Sequence, residues 1–176
     1  MKRFLKAFGV MLCVFTVLLT LTSCSGYDFY EDWHNAGATI EKENIYQLIT
    51  LDEAKQKIDN KDTFVLIYAS SSNSESVKVI SSFQAQAEYL QRTDAVIYYL
   101  NSSEFTSTSD RTKVRETIKM HEAPSDGSPI VMGYKNSAAV IDTSDKNRGS
   151  MKDYFKGDQV QYASLASYIF KDLLKK

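Results

Sequence analysis

The chain has 176 residues, with 21 Lys and Arg against 22 Asp and Glu, 43% apolar residues, two cysteines and two histidines. A balance this close to neutral does not suit nucleic acid, whose phosphates require clustered cations. So few histidines and cysteines also leave little with which to hold a transition metal or to activate a nucleophile.

Lys2, Arg3 and Lys6 precede an apolar run over residues 7–21, which is too short and too soon interrupted for a secure membrane span. Small residues follow, in the order of a secretory leader. Leu21-Thr22-Ser23-Cys24 resembles the lipobox of bacterial lipoproteins. The resemblance implies cleavage before Cys24, a diacylglycerol on its sulfur, and a mature chain attached through that lipid to the extracytoplasmic face of the cell membrane. An ordinary secretory leader or an uncleaved anchor is the other reading of the same residues, and each places the remainder outside the cytoplasm. Residues 1–23 are accordingly read as signal peptide, 24–43 as lipidated tether and 44–176 as one domain. Loss of Lys2, Arg3 and Lys6 leaves 18 basic and 22 acidic residues, a net charge of about −4, which moves the mature chain further from nucleic acid. Cys13 leaves with the leader and Cys24 is consumed by lipid, so the expected mature domain has no free thiol and no disulfide. No cofactor is implied.

Residues 25–43 are polar and weakly periodic. Tyr27, Phe29, Tyr30 and Trp33 among them suit either the membrane interface or the surface of the domain. Strand composition over 45–50 then meets a capping box, Thr50 with Glu53, at the start of a helix over 51–58. Residues 63–69 are nearly all apolar and mostly β-branched or aromatic, as in a strand buried on both faces. Polar residues 70–76 break it. Ser72 or Ser74 is the expected cap of the next helix, in which Val77, Ile80, Phe83, Ala87 and Leu90 form one apolar stripe. A third strand is expected at 95–100 and a more polar helix at 110–120. A strand at 129–134 then turns through Lys135-Asn136-Ser137 into another at 138–141. Asp158 and Gln161 pattern as the cap of a last helix whose Tyr162, Leu165, Ile169 and Leu173 share a face.

The order β-α-β-α-β-α-β-β-α makes an α/β domain with a central mixed sheet flanked by helices. With Gly127-Ser128-Pro129 before the fourth strand, this order resembles the thioredoxin-like fold over residues 45–176. Through Ile49-Thr50-Leu51-Asp52-Glu53-Ala54 and Phe64-Val65-Leu66-Ile67-Tyr68 the chain is also similar to the thioredoxin-like accessory proteins of bacteriocin systems. The family's site is a Cys-x-x-Cys at the N-terminus of the helix after the second strand, faced by a cis-proline. Its first thiol is acidified by the helix terminus, and the resolving thiol lies one turn on. Here the two positions fall on Ser72 and Glu75, on Ser71 and Ser74, or on Asn73 and Ser76, and no register contains sulfur. Dithiol chemistry is therefore not expected of this domain.

Ser71, Ser72, Asn73, Ser74, Glu75, Ser128 and Pro129 are the expected groove, with Tyr68 and Tyr134 as aromatic anchors, for a protein or peptide partner. Pro129 either leaves the Ser128 backbone open to an extended peptide or only shapes the strand entry. A serine hydrolase needs a base, and His121 lies across a layer of the fold from the serine loop. Asp142, Asp145 and Asp153 lack the spacing of metal ligands. The expected function is that of a redox-inactive, lipid-anchored, protein-binding module. A non-redox enzyme built on the serine loop and a solute-binding lipoprotein are the alternatives.

Overall fold

The computed structural model describes residues 27–123, 127–148 and 150–175. The elements in chain order are α1 (Phe29–Asn35), β1 (Tyr46–Leu48), α2 (Leu51–Asp59), β2 (Phe64–Ala69), α3 (Ser74–Tyr89), β3 (Ile97–Asn101), α4 (Thr108–Thr117), β4 (Ile130–Lys135), β5 (Ala138–Asp142), β6 (Phe155–Lys156), β7 (Gln159–Val160) and α5 (Tyr162–Tyr168), which a π-helical turn, Ile169–Leu173, continues. β1 to β5 form one mixed sheet in the order β1-β3-β2-β4-β5. β1, β3 and β2 run parallel, β4 runs against them, and β5 runs against β4 and so in the direction of β2.

All six residues of β2 are buried. Backbone groups sealed from water must be paired, and β2 has β3 on one side and β4 on the other. Side chains of a strand alternate between its faces, so β2 contributes to two cores. Val65, Ile67 and Ala69 pack with Trp33, Val79, Phe83, Leu165 and Phe170 of α1, α3, α5 and the π turn. Phe64, Leu66 and Tyr68 pack with Ala54, Ile58, Val114 and Ile118 from α2 and from α4 and its end. The result is three layers, helix on sheet on helix.

The local signals explain most boundaries. Thr50 and Glu53 close the expected capping box, with the Glu53 amide 3.2 Å from the Thr50 hydroxyl and the Thr50 amide 2.8 Å from the Glu53 carboxylate. Asn136 and Ser137 both take positive φ, 52° and 64°, as a two-residue turn between β4 and β5 requires. Gly133 in β4 is needed for a close approach, since a Cβ there would stand 2.8 Å from both Ile141 Cδ1 and Leu173 Cδ2.

Three differences from the sequence reading have physical causes. Residues 27–43 were expected as tether, yet from Tyr27 onward they belong to the folded body; residues 24–26 lie outside the described part. Asp28 caps α1 by accepting from the Glu31 amide at 3.1 Å. Phe29 and Trp33, four residues apart, turn the same face inward, Trp33 fully buried at 5.5 Å from the Tyr99 ring and Phe29 stacked at 4.9 Å on Tyr46. Gly37, at φ 94°, ends the helix in a Schellman motif, with its amide and that of Ala38 donating to the carbonyls of His34 and Trp33. A second difference is the β6–β7 ribbon, which replaces the expected cap of the last helix. Gly157, at φ 66°, makes the turn, Asp158 pairs with Lys146, and Gln161 makes no side-chain cap. Third, the last helix widens to a π turn, and the Phe170 carbonyl within it and the Leu174 carbonyl just after it accept from the Arg92 guanidinium.

No helix among the described residues is long and apolar enough to cross a membrane. Trp33 is the single tryptophan of the chain, which makes its burial measurable. Its fluorescence is expected to be blue-shifted in the native protein and to move to longer wavelength in the same urea transition that circular dichroism reports. Trp33→Ala is expected to cost about 3–5 kcal/mol in that titration. Native emission at the wavelength of exposed indole would place α1 outside the core.

Candidate functional site

β2 runs directly into the loop that starts α3. The Ser70 carbonyl accepts from the Asn73 amide at 3.1 Å, closing a tight turn, and the Ser70 and Ser72 hydroxyls bond each other at 2.9 Å. The cap of α3 is then Asn73, not Ser72 or Ser74. Its side-chain oxygen accepts from the amides of Glu75 at 2.9 Å and Ser76 at 3.2 Å. Asparagine caps as well as serine, so the end of the turn decides which residue takes the position. The helix terminus is thereby largely satisfied from within. Glu75 adds a favourable charge in the first turn and pairs with Lys78. Ser76, one turn in, is fully buried, and its hydroxyl has no hydrogen-bond partner among the described residues.

Beside this terminus lies a cleft of about 740 Å³ between α3, the start of β4, the β6–β7 ribbon and the start of α5. Glu75, Ser128 and Pro129 line it, three of the seven expected groove residues. Ser71, Ser72, Asn73 and Ser74 form the adjoining loop and cap instead. Pro129 is buried, Ser128 is half-buried, and the bond between them is not cis. β4 pairs against β2 from Ile130, opposite Tyr68, so the strand entry sets Pro129 next to the end of β2.

The expected anchors are not at the surface. Tyr68 is 2% exposed and faces Phe105, while Tyr134 stacks on Phe64 at 4.6 Å and donates its hydroxyl to the Ile118 carbonyl. Both belong to the core on the α2 and α4 side. The aromatic groups that do line the cleft are Phe155 and Tyr162. Burial, with the Glu75 carboxylate adding a smaller push, moves the Tyr162 phenol up to about 12, so it stays a neutral hydroxyl at physiological pH. Val160 and Ala163 supply further apolar surface, and Lys78 and Asp158 bring opposite charges. Reading Asp158 and Gln161 as a helix cap hid this wall, although Gly157-Asp158 between apolar-polar pairs is itself a hairpin signal.

Asp142, Asp145, His121 and His34, also singled out in the sequence, have structural partners. Asp142, fully buried at the end of β5, accepts from the His121 amide at 2.8 Å and from the Ser144 amide and hydroxyl at 2.9 and 2.6 Å. Arg148 lies 3.7 Å from Asp142 and 3.8 Å from Asp145, and the His121 ring lies 3.9 Å from Asp145. This network pins the loop after β5 to the segment after α4. His34 stacks on Tyr30 at 5.0 Å. Among the described residues no three His, Cys, Asp or Glu side chains are grouped to hold a metal ion.

Comparison of the chain with models of known protein families found no match, and comparison with characterised proteins found none either. The geometry of the α3 terminus is testable by itself. Asn73→Ala is expected to lower stability by about 0.5–2 kcal/mol in urea titration, against little change for Ser72→Ala or Ser74→Ala. Equal losses for the three variants would return the cap to the serines.

Proposed function

We propose that this protein is a lipid-anchored, extracytoplasmic module with a thioredoxin-like fold and no redox chemistry, which binds polypeptide in the cleft beside the α3 terminus. The sheet order β1-β3-β2-β4-β5, with two parallel crossovers and an antiparallel hairpin, supports the fold assignment. Of the three registers for the family's cysteine pair, Asn73 with Ser76 fits best: the first position is the helix cap, and the second lies buried one turn in. Neither residue carries sulfur, so the pair has no thiolate to form and no disulfide to cycle. The serine loop favours no hydrolase, because Ser72 finds its hydroxyl partner in Ser70 while the His121 ring faces Asp145.

One observation carries the binding reading. The wall of the cleft opposite α3 is a two-stranded ribbon in which β7 pairs with β6 alone among the described residues. An unpaired strand edge beside apolar side chains can add an extended peptide through main-chain hydrogen bonds, with alternate side chains entering the cleft. The volume alone suits a small solute as well. The strand edge favours a polypeptide over it.

Two measurements test the halves of this reading separately. Radiolabelled fatty acid is expected to enter the wild-type chain in a bacterial host and not Cys24→Ala; equal labelling would remove the lipid anchor. Peptides selected from a displayed library on the detergent-solubilised protein are expected to lose about tenfold or more in affinity, some 1.4 kcal/mol, for Ala163→Arg. Lys171→Ala, away from the cleft, is expected to bind as wild type does. Selected peptides that bind Ala163→Arg unchanged would rule out the cleft as the site.

A further inference from the structure

The sheet divides the molecule into two ends. Residues that precede β1, β2 and β3 lie at the amino ends of the three parallel strands, and Ser70, Pro129 and Thr143 lie at the carboxyl end of β2. α3 connects the two ends, its first turn on the cleft and its last residue, Tyr89, at the other end. Its 16 residues span about 24 Å.

Tyr27 to Tyr30 border an open depression at the amino end together with Lys42, Glu43, Asn44, Tyr46 and Thr93. The chain therefore enters the folded body at the end away from the cleft, and it enters tightly. The Tyr27 hydroxyl donates to Asp32 at 2.8 Å, its ring stacks on Tyr99 at 6.3 Å, and Trp33 is sealed in the core. Farther along, the Thr39 amide donates to the Ser81 hydroxyl, and the Tyr46 hydroxyl donates to the Ile80 carbonyl. Between Cys24 and Tyr27 there are three residue steps, which reach at most about 11 Å when fully extended.

We infer that the amino end of the sheet rests against the lipid bilayer and the cleft is held away from it. The inference rests on the lipid anchor proposed at Cys24 and adds what that anchor does to the domain. A lipidated cysteine followed by a long free tether leaves a domain to tumble. Here the leash is shorter than the length of α3, so turning the cleft toward the bilayer would strain or undock α1.

The surface at this end has the chemistry of the interface. Tyr27 and Tyr30 combine an apolar ring with a polar tip, as side chains of the headgroup region do. Tyr89, 79% exposed, is the most exposed of the large apolar side chains among the described residues and stands four residues before Thr93. Lys42, Lys61 and Lys135 are exposed at this end, Lys61 shortly before β2 and Lys135 as the last residue of β4. None of the three lies in an ion pair among the described residues, although Lys55 and Lys57 at the same end are paired with Asp59 and Asp62, and Asp28 and Glu43 border the depression. Lys42 lies over the Tyr30 ring, 5.9 Å from its centre, and exposed lysines of this kind are attracted to anionic headgroups even though the expected mature chain is acidic overall.

The absence of other cysteines from the expected mature chain makes the orientation measurable in the full-length protein. Thr93→Cys and Tyr89→Cys place a fluorophore at the amino end, and Lys156→Cys places one on the cleft ribbon. Each lipidated variant, checked by circular dichroism, is reconstituted in vesicles of phosphatidylcholine and phosphatidylglycerol that contain a headgroup-spin-labelled lipid. Quenching at Thr93 and Tyr89 is expected to exceed that at Lys156 several-fold. Lipidated protein quenched equally at all three sites, or more strongly at Lys156, would overturn the orientation and leave the anchor standing. A chain that takes up no fatty acid and stays off the vesicles would overturn the anchor, and the orientation with it.

Discussion

The burial of β2 on both faces and along both edges is the constraint on which the rest of the structure depends. A strand in that position admits no side chain that needs water and no backbone group without a partner. Its six residues meet the first condition, and pairing to β3 and β4 meets the second. The alternation of its side chains then decides which helices lie on which side. Val65, Ile67 and Ala69 require α1, α3 and α5 over one face, and Phe64, Leu66 and Tyr68 require α2 and α4 over the other. Without either layer, half of this strand would face water.

That same constraint creates the cleft. Where β2 ends, Ser70 is the last buried residue, and the chain must turn out of the sheet within a few residues to start α3. β4, running against β2, has to begin at the same level, opposite Tyr68, so the entry through Pro129 stands beside the exit through Ser70. A crevice outside the carboxyl end of a central strand is a consequence of this connectivity, as it is in open α/β sheets generally. What fills its walls is free to vary, and here they are a neutral tyrosine, a short ribbon and an ion pair rather than thiols.

Elements with their own local signal were legible in the sequence, and those defined by tertiary packing were not. β2, the Thr50–Glu53 box, the β4–β5 turn and the inward face of α3 each announce themselves within a few residues. α1 is only seven residues long, too short for periodicity to accumulate, and its evidence was a cap at Asp28, two aromatics four apart and a stop at Gly37. β6 and β7, with two residues each, fell below the length at which alternation means anything, and the Asp158–Gln161 spacing suggested a cap in its place. Part of the site was legible for the same reason: Glu75, Ser128 and Pro129 follow from where strands end, whereas Tyr162 and Phe155 come from elements misread or far along the chain. Tyr68 and Tyr134 failed as surface anchors because a strand in the middle of a three-layer stack has no outward face.

The separation between the chain's point of entry and the cleft follows from topology rather than from any one contact. Three parallel strands put their amino ends together, and the crossover helices that connect them bring the chain back to that end before each new strand. A segment that precedes β1 and packs beside it, as α1 does through Phe29 on Tyr46 and Trp33 on Tyr99, must therefore arrive at the end opposite the crevice. Had residues 27–43 been loose, that geometry would carry no consequence, because a flexible span of such length reaches around a small domain. The burial of Trp33 removes that freedom. With the anchor proposed at Cys24, one indole in the core would convert that attachment into an orientation, and the three-layer stack around it would transmit it.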